Sequence, residues 1–386
     1  MPIMAAPDLK TARLGGVDVP SADTLKKMHH SSYILHACAG KLSEVPVEKT
    51  LLPPDRETSP QAIQLVKAPD GTVYANLGNI ICKSSDGGRR WTAHDKGSFR
   101  GVFEVLKDGT FIGLGGEGEH PNTKVVTHAS ADEGRTWRKI GAIPNPPGHW
   151  GGGSWIFRLP DETLLAAVGH ANHVFEQEGT QLIYKSGGGD LFVYRSTDGG
   201  QTWRDPARVH DWTSEGGVAL TPSGKLVAAQ RYQRPMLPDD PPDLEKQTGS
   251  ANPGWPYKHV CVVESDDWGR TWRNFRQLTT VFGQTRGDPV ALNDGTVIVV
   301  HDTRYGPGPP GSRAMISRDE GSTWEDEVYY LDYTTFTGSY AGSVTLADDC
   351  LLSVVGSSQA GNSWEAVRNN TDFYAIRWRP VERSKG

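Results

Sequence analysis

The chain has 386 residues, a formal net charge of −6, 45 glycines and 12 tryptophans. No Lys/Arg-rich run offsets that acidic balance, which argues against nucleic acid as a partner, and no apolar run approaches the roughly 18 residues a membrane helix needs. The cysteines Cys38, Cys82, Cys261 and Cys350 are far apart with no CxxC pair, so neither a zinc site nor a disulfide framework is indicated, and they read as buried free thiols.

Residues 1–25 mix Pro, Gly, Ala and charge without period and read as an N-terminal arm, leaving 26–386 as a single domain. The opening MPIMAAPDLKTARLGG has no apolar stretch behind a basic start, so the chain reads as soluble and cytoplasmic, or as secreted had a signal peptide been removed. From Ser31, SSYILHACAG and then VPVEKTLL alternate as strands do. Part of 31–52 is expected to complete the last unit of a closed repeat.

Beyond that point two patterns interleave. Six apolar hairpins turn at Asp70-Gly71-Thr72, Asp108-Gly109-Thr110, Asp161-Glu162-Thr163, Ser223-Gly224-Lys225, Asp294-Gly295-Thr296 and Asp348-Asp349-Cys350. Five of them are followed by a Ser-x-Asp-x-Gly-x-Thr-Trp box, beginning at Ser84 (with Arg90 in place of Thr), Ser130, Ser196, Ser265 and Ser317. In such a box the Asp carboxylate accepts backbone N–H bonds across a bend, Gly supplies positive φ, and Trp anchors the turn in the core. The boxes are architecture, and their recurrence predicts an all-β, six-bladed β-propeller of four-stranded antiparallel blades. Longer excursions, HANHVFEQEGTQLIYKSGGG, RYQRPMLPDDPPDLEKQTGSANPGWPYK and RYGPGPPGSR, fall between second and third strands and read as rims or lids.

Counting nine residues back from each hairpin turn reaches the start of the innermost strands, at Ala62, Arg100, Gly153, Glu215, Arg286 and Tyr340. Two arginines, a Glu and a Tyr at these converging positions point to a polar site. The second strands end near His170, His173, His301, Asp302, Glu117 and His120, on what should be the same face, where a histidine serves as acid or base near neutral pH. Trp150, Trp155, Trp212 and Trp255 are candidates for stacking on a ligand at such a site, or for packing between blades.

Boxes and hairpins together resemble the sialidase (neuraminidase) superfamily, over roughly residues 55–380, and FYAIRWRP resembles the last strand of its bacterial members. The resemblance implies a carbohydrate-active enzyme, a glycoside hydrolase acting on a terminal acidic sugar. Tyr340 in GSYAGSVTL resembles the family's nucleophilic Tyr, and Glu215 in TSEGGVAL its Glu partner. Arg231, and Arg313 or Arg304, resemble arginines that bind the substrate carboxylate. A neutral Tyr approaches an anomeric centre that bears a carboxylate with less repulsion than an Asp would feel, but it needs a base beside it. Guanidinium groups then hold the carboxylate by paired charged hydrogen bonds.

Two departures point away from sialic acid hydrolysis by the family's usual route. Ser59-Pro60-Gln61-Ala62-Ile63 stands where the family has Arg-Ile-Pro, and Asn76-Leu77-Gly78-Asn79 holds no acid where its general acid belongs. Arg100, Arg286, His170 and His301 are the substitutes at hand. A lyase eliminating across a uronate, and a noncatalytic sugar-binding propeller, are the alternative readings. No metal-ligand spacing or phosphate loop stands out, so no cofactor is expected, and the expected partner is a small or oligomeric sugar bearing a carboxylate.

Overall fold

The computed structural model describes residues 20–53, 63–78, 80–96, 99–178, 181–237, 240–243, 257–279, 283–303, 310–334, 340–358, 366 and 370–382. Of the expected arm, residues 1–19 lie outside this set, as do Ala62, Trp255 and Arg304. Among the described residues strands dominate, and a short helix, Ala22–Met28, begins inside the stretch expected to be an arm. Ser21 caps it by accepting from the Thr24 backbone N–H at 3.2 Å, and it buries Leu25 and Met28.

The chain divides into two compact units, one built mainly on residues 98–289 and the other on 13–97, 290–303 and 308–386. The first unit contains three antiparallel four-stranded sheets, each in sequence order. Blade two comprises Gly101–Val105, Phe111–Glu117, Lys124–Ser130 and Arg138–Ile143; blade three Trp150–Arg158, Leu164–Ala171, Gly189–Ser196 and Arg204–Asp211; blade four Thr213–Leu220, Leu226–Arg234, Tyr257–Ser265 and Arg273–Gln277. Blade three's excursion is itself a two-stranded hairpin, Val174–Glu178 against Gln181–Ser186.

The second unit contains blade one, made of Gln64–Lys67, Val73–Asn76, Ile80–Ser84 and Thr92–Lys96. In blade six, Ala341–Thr345, Leu351–Ser358 and Thr371–Trp378 take their fourth strand from Glu48–Leu51. Blade five has Gln284–Ala291, which runs from the first unit into the second, then Val297–Thr303, Gly311–Ser317 and Glu327–Tyr330. The segment 31–52 therefore does two jobs. Its last strand enters blade six, while Tyr33–Cys38 pairs with Glu327–Tyr330 and Lys41–Pro46 extends blade five further outward.

The hairpin turns share one local solution. In every one the middle residue of the three has positive φ: Gly71 at +86°, Gly109 at +86°, Glu162 at +69°, Gly224 at +88°, Gly295 at +87° and Asp349 at +58°. In five of them the Asp side chain accepts the backbone N–H two residues on, as Asp70 does from Thr72 at 2.9 Å. The boxes are equally regular. Ser196 Oγ donates to Asp198 at 2.8 Å and accepts from the buried Gly200 N–H at 2.8 Å, while Asp198 accepts from the backbone and hydroxyl of Thr202 at 2.9 and 2.6 Å. Where Arg90 replaces Thr, its Nε donates to Asp86 Oδ2 at 2.8 Å and fills the same role. Trp91 and Trp203 are buried, but Trp137, Trp272 and Trp324 are only half-buried, so the anchor is partial in three boxes.

Between blades two and three the apolar faces meet as one cluster, with Ile112, Leu114, Val125 and Ile143 against Ile156, Leu164, Ala166 and Val168. Blades three and four share a second cluster through Trp155, Leu165, Leu226 and Val263. Each such Leu, Ile or Val contributes about 1.5–3 kcal/mol. These seams fix the ends of the strands that carry the polar residues described next.

Candidate active site

A cavity of about 390 Å³ opens in the first unit where blades three and four adjoin. Its wall is assembled from five strands of the two blades. Trp150 and Ser154 lie on blade three's first strand, and His170 and Ala171 end its second. Gly189 and Asp190 open its third strand, and blade four contributes Ser214 and Glu215 from its first strand and Arg231 and Gln233 from its second. In an antiparallel sheet a second strand ends where the first and third begin, so these positions converge without any long loop.

Glu215 and Arg231 form an ion pair at 3.0 Å, and Arg231 Nε donates to Ser214 Oγ at 3.1 Å. The guanidinium is thereby fixed in one orientation beside the carboxylate. Asp190, which strand register places opposite His170, is engaged through Oδ1 by Arg208 at 2.7 Å. The cavity thus holds two carboxylates, each with its own arginine. His170 is 1% exposed and contacts the Tyr194 hydroxyl through Nε2 at 2.8 Å. Burial, with His149 nearby, pushes its imidazole down to about 4, so it is neutral at pH 7. Among the described residues, its Nδ1 and the Oε1 of Gln233 find no hydrogen-bond partner. Trp212 stacks on His173, and Trp150 meets His173 edge-on, giving the cavity an aromatic side.

Of the residues singled out from sequence, Glu215, Arg231, His170, His173, Trp150 and Trp212 meet at this cavity. Arg100 is exposed just ahead of blade two's first strand, and Arg286 is buried in blade five's first strand. Glu117 is paired with Lys139 and with Lys124, and His120 lies edge-on to Trp150. Trp155 belongs to the core. In the second unit, His301 and Arg313 face each other across blade five, both 1% exposed, with the guanidinium 5.1 Å over the Tyr330 ring. Asp302 beside them is fully buried. Tyr340 stands at the head of blade six's first strand, 7% exposed, in an apolar cluster with Ile63, Leu65 and Leu352.

Asp190 was not legible as a site residue. Its signal was present in Ser186-Gly187-Gly188-Gly189-Asp190, a glycine run closed by an acid that opens a third strand. As for metals, His36, Cys38 and Glu327 bring one donor atom each within 4.8 Å of one another. There His36 already bonds Glu327 Oε2 at 2.7 Å and Arg318 donates to its Oε1 at 2.7 Å, so both oxygens of the buried carboxylate are engaged within the protein. No described helix is long and apolar enough to cross a membrane.

No family model and no curated protein matches the sequence. Solved structures do match in fold. An α-L-arabinofuranosidase from Fusarium graminearum, solved with an iminosugar inhibitor, is 18% identical with a TM-score of 0.57, covering 86% of this chain and 96% of that one. A Dyadobacter fermentans protein of unknown function is 16% identical with a TM-score of 0.56, covering 86% and 98%. A Trypanosoma rangeli sialidase, solved with sialic acid, is 15% identical with a TM-score of 0.52, covering 94% of this chain and 59% of that one. The chain therefore has the six-bladed β-propeller fold of these sialidases and arabinofuranosidases.

Proposed function

We propose that this protein is a glycoside hydrolase that works at the cavity holding Glu215 and Asp190 and acts on a terminal sugar. The observation that carries the proposal is that two carboxylates from different blades line one cavity, with aromatic rings and unpartnered polar atoms around them. Glycosidic cleavage requires such a pair: one group protonates the leaving oxygen while the other meets the anomeric carbon or activates water. The hydrolytic activities of the structural neighbours agree with this class of reaction.

In this reading Glu215, fixed by Arg231, is the group at the anomeric carbon, and Asp190 is the proton donor. The C–O bond breaks as the Asp190 proton passes to the departing oxygen. Water then supplies hydroxide to the anomeric carbon, and its other proton restores Asp190. A neutral sugar suits this arrangement, because Arg231 is already engaged by Glu215 and Ser214 and Arg313 is buried. The second reading keeps the acidic sugar, with Tyr340 as nucleophile, Glu215 as its base and arginines on the substrate carboxylate. It is favoured by the presence of Arg231 and Glu215, side by side, in the cavity.

The test compares aryl glycosides that differ in leaving group. Loss of a proton donor slows substrates with poor leaving groups far more than those with good ones, by about 10²–10⁴-fold against little change. Asp190→Asn is expected to show that split and Glu215→Gln to slow both classes. Equal slowing of both classes by Asp190→Asn removes it from the donor role, and loss of all turnover in Tyr340→Phe selects the second reading.

A further inference from the structure

A second cavity, of about 660 Å³, adjoins the first and shares part of its wall: His170, Gly189, Asp190 and Trp212 line both. Beyond that wall it is bounded by Tyr184, from the hairpin inserted in blade three, and by Asp211 at the end of that blade's fourth strand. Glu215 and Arg231 line only the first cavity. The proposed proton donor thus stands where two spaces meet, and its proposed partner stands in one of them.

We propose that the second cavity is the subsite for the sugar that leaves, so that the protein cleaves di- or oligosaccharides whose penultimate residue carries no carboxylate. This rests on the hydrolase reading above. A proton donor must reach the oxygen joining the two sugars, so the sugar on the Glu215 side is the one transferred and the other occupies the space past Asp190. Tyr184 and Trp212 lie edge to face, 5.9 Å between ring centroids, and Tyr184 is held by donating its hydroxyl to the Gly187 carbonyl at 2.6 Å. Rigid rings of this kind give a sugar an apolar face to lie on, and the Asp211 carboxylate accepts its hydroxyls.

Charge selects the neutral partner. Strand register sets Asp190 opposite Asp211, and no described Lys or Arg lines this cavity. Arg208 and His210 pair with these carboxylates at 2.7 and 2.6 Å but are not part of its wall. A uronate placed here meets the Asp211 carboxylate with no Lys or Arg in the described wall to hold it, which like-charge repulsion disfavours.

The experiment uses full-length Glu215→Gln protein, so that ligands survive, and follows tryptophan fluorescence at pH 8. Arabinobiose, a ligand of two of the structural neighbours, is the probe, against methyl α-L-arabinofuranoside. The disaccharide is expected to bind at least about tenfold more tightly, and adding Tyr184→Ala should remove that gain, each tenfold being worth about 1.4 kcal/mol. A disaccharide with a uronic acid in the second position should bind about tenfold more weakly than arabinobiose at low salt. That gap should narrow in 0.5 M NaCl and in Asp211→Asn. Arabinobiose binding no more tightly than the monosaccharide, or a uronate accepted as readily as a neutral sugar, overturns the proposal while leaving hydrolysis of aryl glycosides standing. A protein that hydrolyses no glycoside overturns the reading beneath it as well.

Discussion

Acidification through the range from pH 6.5 to about 4 acts directly on His170 in the candidate site. His170 is buried, and its imidazole is pushed down to about 4 by burial and, secondarily, by His149. In an unfolded chain the same group titrates near 6.5. Because the folded value is the lower one, the unfolded state takes up the proton first. The contribution is therefore complete above pH 6.5 and is lost as the pH falls toward 4. At pH 4.5 the loss from this residue is about 2.5 kcal/mol, since a tenfold difference in proton affinity carries about 1.36 kcal/mol. His301, pushed to about 4, and His259, pushed to about 3, titrate in the same direction, so the wild-type change alone does not isolate His170. His170→Gln does isolate it, because the amide keeps a partner for the Tyr194 hydroxyl and does not titrate. Urea unfolding followed by tryptophan fluorescence at pH 7.5 and 4.5 should show wild type losing about 2–2.5 kcal/mol more than the variant. Equal losses in both proteins would refute the buried, neutral His170 on which the cavity geometry depends.

Other consequences are open to the same kinds of measurement. Asp198→Ala removes the acceptor for the Ser196 and Thr202 hydroxyls and for the Gln201 and Thr202 backbone, and should cost about 2–3 kcal/mol in urea unfolding. Asp86, Asp132 and Asp267 are held down to about 2 by hydrogen bonds within their boxes, against the burial that raises Asp86 and Asp267. Their contribution is thus present above about pH 3.8 and lost toward pH 2, and an unfolding titration over that range should steepen beyond the histidine step. Gly200→Ala combines φ of +83° with a Cβ 2.8 Å from Ile112 and 3.0 Å from Thr127, for an expected loss of about 2–4 kcal/mol. Arg231→Met frees Glu215 from its fixed partner and should lower kcat by about 10–100-fold on the best aryl glycoside, with no comparable loss in urea stability.

The repeats were legible because each does a local job. A turn needing positive φ, in five of six cases with an Asp that accepts the N–H two residues on, can be read from four residues, and the six turns set the blade count. That Glu215 lies near Arg231 and His170 was readable for a related reason: Glu215 sits nine residues before its turn, Arg231 and His170 fall near the ends of second strands, and all three line the cavity. What could not be read was set by pairing between distant segments. Nothing in SSYILHAC announces that this strand joins blade five while Glu48–Leu51 joins blade six, because either edge accepts an alternating strand. Asp190 was hidden in the same way. The excursion before it looked like a loop ending in glycines, and only the inserted hairpin and the pairing of Asp190 with His170 bring its carboxylate to the cavity. Arg313 and His301 carried the right residue types, yet the fold buries both.

Hydrolysis of glycosides through Glu215 is to be read from the products formed in H₂¹⁸O from a panel of aryl pentofuranosides, hexosides, sialosides and uronides. The expected product is a released sugar carrying one ¹⁸O, with a loss of at least about 10²-fold in that release for Glu215→Gln. An unsaturated product without ¹⁸O, or release undiminished in Glu215→Gln, would contradict hydrolysis through Glu215.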